Sequence, residues 1–147
     1  MNKFIQQLSI ATFVIFLFAS PAASHCEIPC GIYDDQMRIT LLKEDITTIE
    51  KSMDKINNPD DGIGSNQNVR WIMNKEAHAD KFQEIVSQYF LTQRIKPDSK
   101  DYTKKLEVLH QMLIYAMKCK QTTDLKNTEK LKELVDSFEK LYFAPHN

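Results

Sequence analysis

Glycine is scarce in this chain, with three in 147 residues, and proline little commoner at five. Such a chain has few positions for the turns that close successive hairpins, and no stretch alternates apolar and polar residues as a half-buried strand would. A β-rich fold is disfavoured on both counts, and a hydrophobic content of 42% disfavours disorder. Cysteine is also sparse. Cys26 and Cys30 stand close together and Cys119 is alone far downstream, too few and too uneven for a disulfide framework. Charge of one sign is missing as well: the formal net charge is −1 and Lys is mixed with Glu and Asp throughout. There is no basic stripe for a phosphate backbone, so nucleic acid is not an expected partner. The one long apolar run, Leu8 to Ala19, is too short for a comfortable membrane span.

That run has the layout of a targeting segment. Lys3 supplies a positive start, Leu8–Ala19 the apolar middle, Pro21 a break, and Ala22-Ala23-Ser24 small residues before a cut. Residues 1–24 therefore read as a signal peptide cleaved after Ser24, with an uncleaved membrane anchor as the competing reading. Cleavage by a signal peptidase implies an exported protein, in a periplasm, an organelle lumen or the extracellular medium, with no stable membrane association afterwards. It removes Lys3 and no acid, so the mature chain is mildly acidic.

Beyond a short segment, residues 25–34, whose Pro29 and Gly31 discourage helix, the pattern is helical. Ile39, Leu42, Ile46, Ile49, Met53 and Ile56 recur at steps of three and four, one face of an amphipathic helix that Asp34 or Asp35 can cap. A second helix is expected from about Asn68 to Gln93, burying Val69, Ile72, Met73, Phe82, Ile85, Val86 and Tyr89. A third, from about Ser99 to Lys120, would bury Leu106, Leu109, Leu113, Ala116 and Met117. The fourth, ending near Tyr142, presents Leu131, Leu134, Val135, Phe138 and Leu141. Short connections make these an all-α, antiparallel four-helix bundle over residues 35–147. A bundle by itself carries no chemistry.

Chemistry is concentrated in His25-Cys26-Glu27-Ile28-Pro29-Cys30-Gly31-Ile32-Tyr33-Asp34. A cut after Ser24 gives His25 a free α-amine, which joins an imidazole, two thiols and the Cys26 amide within six residues. Amine, amide nitrogen and Cys26 sulfur can form two fused chelate rings, and Cys30 can loop back to a fourth position. A two-nitrogen, two-sulfur set of this kind suits divalent nickel or copper, whereas zinc prefers a tetrahedron and has no redox chemistry. Thiolates and a deprotonated amide stabilise the higher oxidation state and permit a one-electron cycle. Pro29 restricts the turn between the cysteines, Gly31 permits positive φ, and Tyr33 brings a phenol just beyond the second thiolate.

His25-Cys26-x-x-Pro29-Cys30-Gly31-x-Tyr33-Asp34 resembles the nickel hook of nickel superoxide dismutases, and Tyr89-Phe90 late in the second helix is also similar to that family. The resemblance implies one nickel ion per subunit, held by the His25 amine, the Cys26 amide nitrogen and the Cys26 and Cys30 sulfurs, with the His25 imidazole axial. It implies Tyr33 as the gate of the substrate pocket, helped by Tyr89. It implies superoxide as substrate, disproportionated to oxygen and hydrogen peroxide by Ni(III)/Ni(II) cycling, and a homo-hexamer. One departure stands out: Thr40 and Asn74 fall where some members place a glutamate and an arginine that orient the imidazole, leaving Glu44 or Lys75 as substitutes.

Two other readings compete with the enzyme. One is an exported nickel or copper carrier built on the same hook, and the other is a helical module closed by a Cys26–Cys30 disulfide. His78 and His110 lack partners at metal-binding spacing, and Cys119 reads as a small buried apolar residue.

Overall fold

The computed structural model describes residues 31–59 and 64–145. The expected leader, residues 1–24, and the hook residues His25, Cys26 and Cys30 lie outside the described residues. Gly31 and Ile32 belong to an N-terminal unit, residues 1–32, and Tyr33–Asn147 forms the second. Within the first, Gly31 takes φ +74°, the left-handed backbone that glycine adopts without strain.

Among its described residues the second unit has helices joined by turns and no strand. Helix α1 spans Asp35–Asn57; Asp34 caps it, its carboxylate accepting from the Met37 amide at 2.9 Å. Helix α2 spans Ser65–Glu84 and continues without a break as a π-helical stretch, Ile85–Arg94. Helices α3, Tyr102–Gln121, and α4, Lys126–Tyr142, follow. Each helix packs on the next in sequence and α4 closes on α1, giving the four-helix bundle that periodicity predicts. Among the described residues no helix is long and apolar enough to cross a membrane.

Ile39, Leu42, Ile46, Ile49 and Met53 of α1 are fully buried, as their spacing requires, each contributing roughly 1.5–3 kcal/mol by leaving water. Two registers differ from expectation. On α2 the inward line runs Lys75, Ala79, Phe82, Val86, in steps of four, three and four. Val69, Ile72 and Met73 fall beside that line and are 53%, 44% and 65% exposed. On α3 the line is Lys105, Leu109, Met112, Ala116, Cys119, so Met117 turns out to solvent, and Leu106 and Leu113 are only partly buried. In both helices the line is shared by lysines whose stems are covered, a placement that apolar counting overlooks.

Lys75 shows what such a residue does. It is 4% exposed, and its ammonium donates to the Cys119 and Lys120 carbonyls at 2.8 and 2.7 Å and to Glu76 at 2.6 Å. Those carbonyls belong to the last turn of α3, where a helix leaves its acceptors without internal partners. His78, half-buried, has Nδ1 2.7 Å from the Asp45 carboxylate. Burial raises the Asp45 pKa despite that partner.

Candidate functional site

The chain around Tyr33 to Arg38 meets the ends of α2 and α4 in a compact polar and aromatic cluster. Its centre is Asp35, in the first turn of α1, where a carboxylate is also favoured by the helix dipole. Asp35 accepts four hydrogen bonds: from the Tyr89 hydroxyl at 2.6 Å, the Tyr142 hydroxyl at 2.8 Å, and Arg94 Nε and Nη2 at 2.8 and 2.7 Å. The Arg94 pair is bidentate, the geometry in which a guanidinium binds a carboxylate most strongly. Partial burial pushes the Asp35 carboxyl up, but the bonds from Arg94, Tyr89 and Tyr142 outweigh it and hold it below the ordinary value. The same contacts act in reverse on the donors. Burial and then the bond to Asp35 raise the Tyr89 phenol well above its ordinary value and push Tyr142 up to about 12. Both hydroxyls keep their protons at any physiological pH.

Arg94 has a second contact. Its guanidinium lies 4.2 Å from the centroid of the Tyr33 ring, and the Tyr33 and Tyr89 rings meet edge to face at 5.9 Å and 73°. Arg38 covers the Tyr89 ring at 4.9 Å. Phe90 meets Tyr89, Phe138 and Tyr142 edge to face at 5.1, 4.9 and 5.6 Å. Tyr89-Phe90 thus joins the cluster to the core.

The π-helical stretch explains how Tyr89 and Arg94 reach one carboxylate. They are five residues apart. In an α-helix, at 3.6 residues per turn, they would point about 140° apart. Bonding from i to i+5, seen where the Ile95 amide donates to Phe90 at 2.9 Å, brings every fifth residue onto one side.

Both phenols singled out in the sequence, Tyr33 and Tyr89, are therefore together, though in different states. Tyr89 is 3% exposed with its proton committed to Asp35; Tyr33 is 39% exposed and its hydroxyl bonds no described residue. Asp35, Arg94 and Tyr142 were missing from the sequence-derived set. The acidic pair Asp34-Asp35 suggested only a cap, and no local pattern marks the other two. Of the two substitutes for the partners of the His25 imidazole, Lys75 is engaged with α3 and Glu44 is exposed; at the departing positions Thr40 donates to the Gln36 carbonyl at 3.1 Å and Asn74 donates to Ser52 at 3.0 Å. Among the described residues no three His, Cys, Asp or Glu side chains stand close enough to hold a metal ion.

Residues 20–145 match the family model described as nickel-containing superoxide dismutase, a span that includes His25, Cys26 and Cys30 together with the whole Asp35 cluster. No curated protein and no solved structure matches the chain.

Proposed function

Because the chain belongs to the nickel-containing superoxide dismutase family, an oxidoreductase family acting on superoxide with a nickel cofactor, we propose that its nickel is held at the mature N-terminus by His25, Cys26 and Cys30. The observation that carries this reading is the donor set inside the matched span. An α-amine, an imidazole, an amide nitrogen and two thiolates lie within six residues, and anionic sulfur and nitrogen donors suit nickel's redox chemistry. Gly31, directly after Cys30, has the positive φ that a sharp exit from such a turn uses. Nickel, alternating between Ni(III) and Ni(II), supplies the one-electron chemistry by which two superoxide ions and two protons become oxygen and hydrogen peroxide.

The chain's own residues do the rest. Until residues 1–24 are removed, the nitrogen of His25 is an amide and cannot act as an amine donor, so cleavage after Ser24 activates the protein as well as exporting it. Tyr33 offers a phenol whose hydroxyl bonds no described residue, three residues past Cys30, suited to hydrogen-bond a small anion or the water that replaces it. Tyr89, whose hydroxyl proton is held at the Asp35 carboxylate, supports Tyr33 and does not deliver that proton. Assembly into a homo-hexamer is part of the same reading, and the exposed Val69, Ile72 and Met73 support it, since a subunit interface would cover them.

The test combines intact mass, metal analysis and a superoxide-dismutation assay on one sample. An N-terminus at His25, nickel equimolar with chain, and loss of both nickel and activity in Cys26→Ser and Cys30→Ser are expected. Nickel retained in both variants would overturn the assignment of ligands. A Cys26–Cys30 disulfide with no nickel uptake would overturn the hook itself.

A further inference from the structure

We propose that Asp35 and Arg94 are positioning residues for the dismutation site, one carboxylate fixing Arg94 so that its flat cationic face holds the Tyr33 ring in place. The inference rests on the reading of Tyr33 as the phenol that meets superoxide. Tyr33 precedes the cap residue Asp34 and lies outside any helix, so the backbone bonding that orders α1 does not order its ring. Among the described residues two contacts do: the Tyr89 ring, edge to face at 5.9 Å, and the Arg94 guanidinium over its ring at 4.2 Å.

Both contacts trace to Asp35. The hydroxyl of Tyr89 is tied to it at 2.6 Å, and the edge of the Arg94 guanidinium donates to its two oxygens at 2.8 and 2.7 Å. With its edge so occupied, Arg94 has its face left for an aromatic ring. Only arginine combines a bidentate edge with a stacking face; a lysine ammonium would keep the charge and lose both. The arrangement also separates the two phenols chemically. Asp35 takes the Tyr89 proton as its partner, while among the described residues Tyr33 is held through its ring, its hydroxyl left to what arrives from solvent.

The experiment compares four nickel-loaded proteins, wild type, Arg94→Lys, Tyr33→Phe and the double variant, each labelled with 3-fluorotyrosine. Nickel content, dismutation rate and the fluorine resonance of Tyr33, assigned by its absence in Tyr33→Phe, are measured together. Arg94→Lys is expected to retain nickel, shift the Tyr33 resonance and slow dismutation about tenfold, the scale of a misplaced site group. On the Tyr33→Phe background the same change should cost less than about twofold, because residues acting through one another are not additive. Equal losses on both backgrounds, or an unmoved Tyr33 resonance, would overturn the proposal and leave Arg94 a purely structural residue. Should Arg94→Lys fail to fold, Asp35→Asn, which removes the charge that fixes Arg94, is put through the same cycle with the same criteria. If Tyr33→Phe alone leaves dismutation at the wild-type rate, the reading of Tyr33 fails first, an outcome distinct from an impaired Tyr33→Phe beside an unaffected Arg94→Lys.

Discussion

Lys75→Met replaces a buried ammonium by an apolar side chain of similar length and tests whether that lysine serves the fold or the metal. The side chain is 4% exposed and its three hydrogen bonds, at 2.6 to 2.8 Å, include two to carbonyls in the last turn of α3. Each carbonyl left without a donor costs about 1–3 kcal/mol if fully buried, and the loss of a cation at a helix C-terminus adds roughly 0.3–1 kcal/mol. Against this, methionine is spared the several kcal/mol spent on stripping water from an ammonium. The Glu76 side chain, 36% exposed, can return to water at little cost. The net expectation is a destabilisation of about 2–3 kcal/mol, a fall of roughly 10 °C in melting temperature for a domain of this size. Circular dichroism at 222 nm on the nickel-loaded protein reads the melt, and dismutation per bound nickel is measured alongside. A midpoint within about 2 °C of wild type, on the order of 0.5 kcal/mol, would refute the capping argument, since the net cost expected is several times larger. Activity per nickel that collapses at unchanged stability would return Lys75 to the imidazole of His25.

Three further outcomes follow from the same structure. Asp35 has a folded-state pKa below its ordinary 3.8, so its contribution is full above that value and is lost as pH falls through the lower folded one. Asp35→Asn should therefore be less stable than wild type by about 2 kcal/mol at pH 7, with the difference closing below pH 3.8, as read from urea midpoints; a difference independent of pH would contradict the ion pair. Cys119 is fully buried, and burial pushes its thiol up to about 12, so iodoacetamide at pH 8 should leave it unmodified in the native protein and label it after denaturation, with peptide mapping as the check. Met73→Glu places a charge on a side chain that is 65% exposed in the single chain, so stability should change by under ~0.5 kcal/mol if the chain is monomeric. Sedimentation velocity should instead show smaller species if the α2 surface is a subunit interface.

The helices were legible because their signal is local. On α1 the residues at steps of three and four, Ile39, Leu42, Ile46, Ile49 and Met53, are all buried, and the buried Asp45 and Ser52 each stand directly before one of them, so apolar counting still finds the right face. On α2 and α3 the inward lines include Lys75 and Lys105, polar in composition and buried in fact. Counting apolar residues there selects the neighbouring stripe, the one that carries Val69, Ile72, Met73 and Met117. A lysine enters such a line only when something at its tip accepts a hydrogen bond or faces an electron-rich ring. Lys75 meets the end of α3, and the Lys105 ammonium lies 5.7 Å from the Tyr142 ring centroid. Neither partner is near its lysine in sequence.

The same distinction runs through the site. A chelating set must be compact along the chain to close small rings, so His25, Cys26 and Cys30 are conspicuous to anyone reading residue types in order. A positioning set has no such constraint. Tyr142 is 107 residues from the carboxylate it bonds, and Arg94 is 59. Arg94 was hidden twice over, because it shares a face with Tyr89 only when the helix widens to i+5 bonding, and 3.6-residue periodicity assigns the two to different sides. That widening has a structural consequence: it lets one helix end supply both the hydroxyl and the guanidinium that Asp35 receives, where a regular α-helix would supply one. Restoring α-helical register between Ser87 and Arg94 would therefore separate Tyr89 from Arg94 and release Tyr33 without altering any residue of the hook.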